Sequence, residues 1–143
     1  MASSPENPIP LSGPELGARE EELVLDVLRS GRLSLGEMGV SFERAFADFL
    51  GVEDAVAVSS GTAALHLGVR QLGWGAGDEV LTSPFTFVAS ANCLLYEGAK
   101  PIFVDVDPVT LDIDPDAAAA AVTERTKGLL PIDIFGWPAA WPE

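Results

Sequence analysis

From residue 55 onward the chain alternates two kinds of apolar pattern. Short runs at 55–59, 79–83, 100–105 and 128–134 are apolar without in–out alternation, as strands buried on both faces read. Between them, 61–72, 87–96 and 116–122 read as helical stretches, and Gly, Pro and Asp supply turns at 73–78 and 105–115. Strand and helix in this alternation predict parallel strands joined by right-handed crossovers. The expected fold is α/β, three-layered (α/β/α) with a mostly parallel sheet.

The first third reads differently. Ser12 followed by Glu15 fits a capping box with Pro14 in the first turn, and Leu16, Leu23, Val24, Val27 and Leu28 then recur at helical spacing. Gly31 is expected to end that helix as a left-handed cap. Glu20, Glu21 and Glu22 read as a solvated face. After the loop Gly31-Arg32-Leu33-Ser34-Leu35-Gly36, a second helix closed by Gly51 carries Phe42, Ala45, Phe46 and Phe49 on one stripe, expected to face a core. Residues 1–11, rich in Ser, Pro and Asn, are expected to form an arm. There is no internal repeat.

Composition narrows the function. A chain of 143 residues, 48% of them hydrophobic, is enough for one core and hardly for two. Twenty-two acidic residues against eight basic ones give a formal charge of -14, which argues against a nucleic-acid surface of clustered Lys and Arg. An anionic small ligand stays open, because a helix N-terminus holds phosphate without a basic side chain. The single Cys93 leaves no disulfide within the chain and suits a reducing compartment. The start lacks the basic and apolar segments of a secretory signal, and no apolar run is long enough to span a bilayer. The expectation is a cytoplasmic protein with neither nucleic-acid nor membrane partner.

The most directed chemistry lies at Ser60-Gly61-Thr62-Ala63, between the first apolar run and the helix that follows. Free backbone N–H groups and the positive helix end converge there, Gly61 lets a ligand approach the backbone, and Thr62 adds a hydroxyl. The competing reading is a capped helix without a ligand. It is neither a P-loop nor a dinucleotide fingerprint, since the Gly-Lys-Ser/Thr and three-glycine spacings are absent. Ser83-Pro84-Phe85-Thr86-Phe87 follows the next strand, at the edge where open parallel sheets bind ligands. Phe85 or Phe87 could stack on a flat heterocycle there, or fill the core. His66, one turn after Thr62, reads as a packed, hydrogen-bonded histidine rather than a base. Asp105 and Asp107 read as turn-shaping rather than metal-binding, with no metal site expected. Asp133 closes a strand at the same edge without a determinable role, and Cys93 reads as a small core residue.

Taken together, these stretches resemble the N-terminal part of the DegT/StrS-type sugar aminotransferases, pyridoxal-phosphate enzymes of fold type I. The matching segments are Ile9-Pro10-Leu11-Ser12, Ser30-Gly31-Arg32-Leu33-Ser34, Val58-Ser59-Ser60-Gly61-Thr62-Ala63-Ala64-Leu65-His66, Phe85-Thr86-Phe87-Val88-Ala89-Ser90-Ala91-Asn92, Pro101-Ile102-Phe103-Val104-Asp105-Val106-Asp107 and Gly136-Trp137-Pro138-Ala139. They stand in the family's order and cover nearly the whole chain. The resemblance implies that Gly61, Thr62 and Ala63 hold the phosphate of pyridoxal 5'-phosphate and that Phe87 stacks on its pyridine ring. It also implies that the loop around Arg32 and Ser34 walls the substrate pocket, in the same subunit or a partner. The implied substrates are a nucleotide-linked keto sugar and an amino acid donor, and the implied assembly is a homodimer.

Residues 1–143 then correspond to the N-terminal part of the cofactor-binding large domain. Residues 1–54 form its arm and helices, 55–143 its βα units, and the small C-terminal domain is absent. The family's Schiff-base lysine and its pyridine-binding aspartate lie downstream of Pro138, and the only lysines, Lys100 and Lys127, do not match the catalytic position. The segment Trp137-Pro138-Ala139-Ala140-Trp141-Pro142-Glu143 stops where the family continues into a helix, so a fragment inactive on its own is expected. A sugar dehydratase of the same fold, or a non-catalytic half-fold used in regulation or assembly, is the alternative.

Overall fold

A computed structural model describes residues 12–139, so the arm at 1–11 and the last four residues lie outside the described residues. The chain divides into two compact units, Met1–Ala57 and Val58–Glu143.

The first unit carries helices α1, Ala18–Ser30, and α2, Glu37–Leu50. Helix α1 starts six residues after the capping box expected at Ser12: Gly17 is its N-cap and Glu20 Oε2 accepts the Gly17 N–H at 2.7 Å. Glu20 therefore satisfies an end group with its side chain, which lowers its pKa below the ordinary carboxylate range. Gly31 and Gly51 close the two helices in the left-handed conformation, with φ of 71° and 69°. The aromatic stripe of α2 is a correction. Ala47 is the buried residue of this helix, while Phe42, Phe46 and Phe49 are exposed, Phe49 by 84%. A helical stripe is covered only where another element packs over it, and among the described residues the one aromatic partner of Phe42 and of Phe46 is the other, with ring centres 5.8 Å apart.

The second unit is the α/β part. Strands β1 (Glu79–Thr82), β2 (Lys100–Phe103) and β3 (Thr126–Leu130) form a parallel sheet in the order β2-β1-β3. Glu79 pairs with Lys100 on one side and Thr126 on the other, and a register shift follows between Glu79 and Val80 on the β3 side. Helices α3 (Gly61–Leu72), α4 (Ala89–Tyr96) and α5 (Pro115–Ala120) complete the unit.

Burial alternates along β1 and explains the layers. Val80 lies in a cluster with Val69 of α3 and Cys93 and Leu94 of α4, whereas Leu81 joins Val104, Ile113 and Ala118 of α5. Successive strand residues point to opposite faces, so α3 and α4 cover one face and α5 the other. The chain crosses from β1 to β2 through α4, then back over β1 to β3 through α5. Opposite directions of crossing with one handedness require opposite faces, and central β1 is buried along its whole length.

No strand forms at 55–59. A strand exists by hydrogen bonding to a neighbour, and none of the described residues pairs with this run. The other expected strands are found, each trimmed at its C-terminal end, and β3 begins two residues before the expected 128: residues 131–133 leave the sheet, and Ile134–Gly136 form a 3-10 turn.

Candidate functional site

Each of α3 and α4 runs antiparallel to the strands, since each returns the chain to the N-terminal edge of the sheet. Their N-termini therefore stand at the C-terminal edge, where the loops after β1, β2 and β3 also emerge. Gly61, Thr62 and Ala63 open α3, and Phe87 lies in the loop that enters α4.

Ser60 is the N-cap of α3, extended at φ -164° and ψ 160°, and its Oγ accepts the Ala63 N–H at 3.1 Å. The first intrahelical bond runs from Ala64 N–H to Ser60 O. That leaves the Gly61 and Thr62 N–H groups without an acceptor among the described residues, at the positive end of a twelve-residue helix. The space in front of Gly61 is open, because a Cβ built there meets nothing within 4 Å. Capping and anion binding are compatible here: Ser60 occupies one donor and leaves two.

The segment 83–88 is tied by a set of short-range hydrogen bonds. Ser83 Oγ accepts the Phe85 N–H at 3.0 Å, Thr86 and Ser90 share a hydroxyl hydrogen bond of 3.0 Å, and Phe87 O accepts the Ser90 N–H at 3.1 Å. Phe87 lies just outside α4, two residues before its start, and is 75% exposed. Phe85 is the more covered ring, set edge-on to Phe135 with centres 6.1 Å apart.

His66 is packed, as expected. Its Nε2 lies 2.6 Å from Glu97 Oε1, and its ring meets Tyr96 edge-on at 5.2 Å. The His66 hydrogen bond, with Arg70 nearby, holds the Glu97 carboxyl below its ordinary range. The contact clasps α3 to α4. Asp107 shapes a turn: its Oδ1 accepts the Val109 and Thr110 N–H groups at 2.8 and 2.9 Å, which lowers its pKa. Asp105 Oδ1 accepts the Val106 N–H at 2.8 Å. Asp133 is beyond β3 rather than in it, and its Oδ1 accepts the Ala139 N–H at 3.0 Å. Cys93 is fully buried, donates to Ser90 O at 3.2 Å, and has its thiol pKa pushed up by burial. Among the described residues no group of three or more His, Cys, Asp or Glu is placed to hold an ion.

Sequence reasoning passed over two features. Glu79 gathers Thr123 Oγ1 and Arg125 Nη2, each at 2.7 Å, and Lys100 Nζ at 3.8 Å, at the N-terminal edge of the sheet. Phe135, with the left-handed φ of 52°, is the second. With Val109 and Trp137 it lines an open apolar hollow of about 480 Å3 at the C-terminal edge.

Similar proteins share this fold. The chain is 48% identical over 128 residues to the spore coat polysaccharide biosynthesis protein SpsC of Bacillus subtilis, covering 90% of this chain and 33% of that one. It is 41% identical over 129 residues to the GDP-perosamine synthase of Caulobacter vibrioides, covering 90% and 35%. The PLP form of the protein Spr1654 from Streptococcus pneumoniae superposes with a TM-score of 0.85 at 35% identity, over 92% of this chain and 33% of that one. The chain thus spans about a third of the length of the curated relatives it matches. No helix among the described residues is long and apolar enough to cross a membrane. The model of the DegT/DnrJ/EryC1/StrS aminotransferase family matches residues 14–143, and the chain belongs to that family.

Proposed function

We propose that this chain is the cofactor-holding portion of a pyridoxal-phosphate aminotransferase that acts on a nucleotide-linked keto sugar with an amino acid as amine donor. The observation that carries the reading is the start of α3, where the Gly61 and Thr62 N–H groups lack acceptors before an open approach. A phosphate monoester matches that donor set in charge and geometry.

Gly61 keeps the approach clear, Thr62 donates its N–H and hydroxyl, and Ala63 donates its N–H if Ser60 yields it. Phe87, exposed and held by the ties around Ser83 and Ser90, stacks on the pyridine ring. When bound, the cofactor supplies an electron sink for the substrate carbon that loses its proton. Moving that proton requires an amine that this segment does not place at the site. Lys100 opens β2 at the N-terminal edge beside Glu79, and Lys127 is a member of β3.

By this reading residues 1–143 alone transfer no amine, and the intact protein works as a homodimer in a reducing, cytoplasmic compartment. The test is amine transfer from glutamate to a nucleotide-linked keto sugar with added pyridoxal phosphate. The intact protein is expected to turn over and to carry a yellow chromophore, and residues 1–143 to show no turnover. Turnover by residues 1–143 refutes the division of labour. An intact protein without chromophore or affinity for the cofactor refutes the assignment itself.

A further inference from the structure

We propose that Phe135 is a positioning residue for the cofactor-stacking ring: seated edge-on against Phe85, it holds segment 83–88 in the setting that leaves Phe87 free. The inference rests on the cofactor reading above and concerns a residue to which that reading gives no role.

Three observations carry it. The Phe85 and Phe135 rings meet at 77° with centres 6.1 Å apart, an attractive edge-to-face geometry. Phe135 reaches that position only through a backbone φ of 52°, which a bulky residue rarely adopts. The turn that imposes it is pinned on both sides, by Gly136 N–H to Asp133 O at 3.1 Å and by Ala139 N–H to Asp133 Oδ1 at 3.0 Å. Strain of this kind persists where the surroundings hold it and concentrates at functional sites.

Burial does not explain the strain, since Phe135 is 87% exposed and its contact with Phe85 is its one aromatic partner among the described residues. On the Phe85 side, the Ser83 and Thr86 hydrogen bonds fix the backbone, so a ring seated at Phe85 fixes the same short segment that displays Phe87 two residues on. Phe135 acts through Phe85, its aromatic partner.

The test uses the intact protein freed of cofactor. Affinity for pyridoxal phosphate is read by quenching of tryptophan fluorescence, and affinity for inorganic phosphate by calorimetry. Phe135→Ala and Phe85→Ala are each expected to weaken pyridoxal phosphate binding about three- to tenfold, as loss of one aromatic pair predicts. Phosphate affinity is expected to stay within twofold, because the donors at Gly61 and Thr62 are untouched. The double variant is expected to be no weaker than either single one, and Phe135→Tyr to restore binding. Phe135→Leu keeps the bulk without the ring and substitutes for Phe135→Ala if the latter fails to fold. Unchanged pyridoxal phosphate binding in the Phe135 variants overturns the proposal while leaving the cofactor reading intact, and so does an equal loss of phosphate binding or a multiplicative double variant. Absence of pyridoxal phosphate binding by the unmodified protein overturns both.

Discussion

Gly128 of β3 lies under the indole of Trp74, and replacing it with alanine tests how tightly the sheet packs beneath α3 and α4. A Cβ at Gly128 would stand closest to Trp74 Cζ2, 2.6 Å from Cη2 and 3.3 Å from Cε2. Carbon atoms rest at about 3.5–4.0 Å, so the ring must retreat by about 1–1.5 Å. It has little room, because Trp74 packs against the fully enclosed group Val69, Val80, Cys93, Leu94 and Ala99. Overpacking of this size costs about 1–3 kcal/mol. The change in chain entropy has the opposite sign, since alanine in a strand gains about 0.5–1 kcal/mol over glycine. A net loss therefore isolates the clash. Urea unfolding followed by far-ultraviolet circular dichroism should show the midpoint falling by roughly 1 M, for a slope of about 1–3 kcal/mol per M. Trp74→Phe removes Cζ2 and Cη2, the atoms in conflict. The double variant Gly128→Ala/Trp74→Phe should then be less destabilised than the two single costs together, by about 0.5–3 kcal/mol. Strict additivity, or an unchanged midpoint for Gly128→Ala, would refute the reasoning.

Two further outcomes follow from the two ends of the sheet. Gly61→Ala finds open space and a better helix former, so the melting temperature should hold or rise slightly, while the new methyl crowds the ligand's approach and weakens pyridoxal phosphate binding. Equal binding by the two proteins, measured by fluorescence titration, would remove Gly61 from the site. The Glu79 pKa is lowered first by the Thr123 hydroxyl and then by Arg125. A depressed carboxylate contributes stability that is present above its unfolded value of about 4.3 and lost as pH falls through its folded value. Glu79→Gln should therefore lower stability at pH 7 and flatten the acid limb below about pH 4.3. A limb as steep as in the parent protein, in chemical denaturation across pH 3–7, would exclude Glu79 as the titrating group.

What was legible in the sequence depended on how local its cause was. Helix α3 was bounded correctly at both ends because Ser60 and Gly73 are capping residues adjacent to the pattern they end. The buried run of β1 was legible for a similar reason. The run at 55–59 is more apolar than β1, but pairing is a property of neighbours, and the described residues offer it none. Ser12 and Glu15 have the right types for a capping box, yet Gly17 and Glu20 have the right positions. The stripe of α2 announces that something should cover it without saying what. Phe135 was illegible for two reasons: its ring partner is fifty positions away, and nothing in a phenylalanine announces a left-handed backbone.

The Glu79 cluster and the start of α3 stand at opposite ends of the same three strands. One end is fastened by charge: a carboxylate at the foot of β1 gathers groups from β2 and from the approach to β3. The other end opens into loops and the start of α3, where the Gly61 and Thr62 N–H groups lack an acceptor among the described residues. Substitutions that retune recognition at the loop end can thus accumulate without loosening the fastening, so the scaffold can change its clientele while keeping its frame.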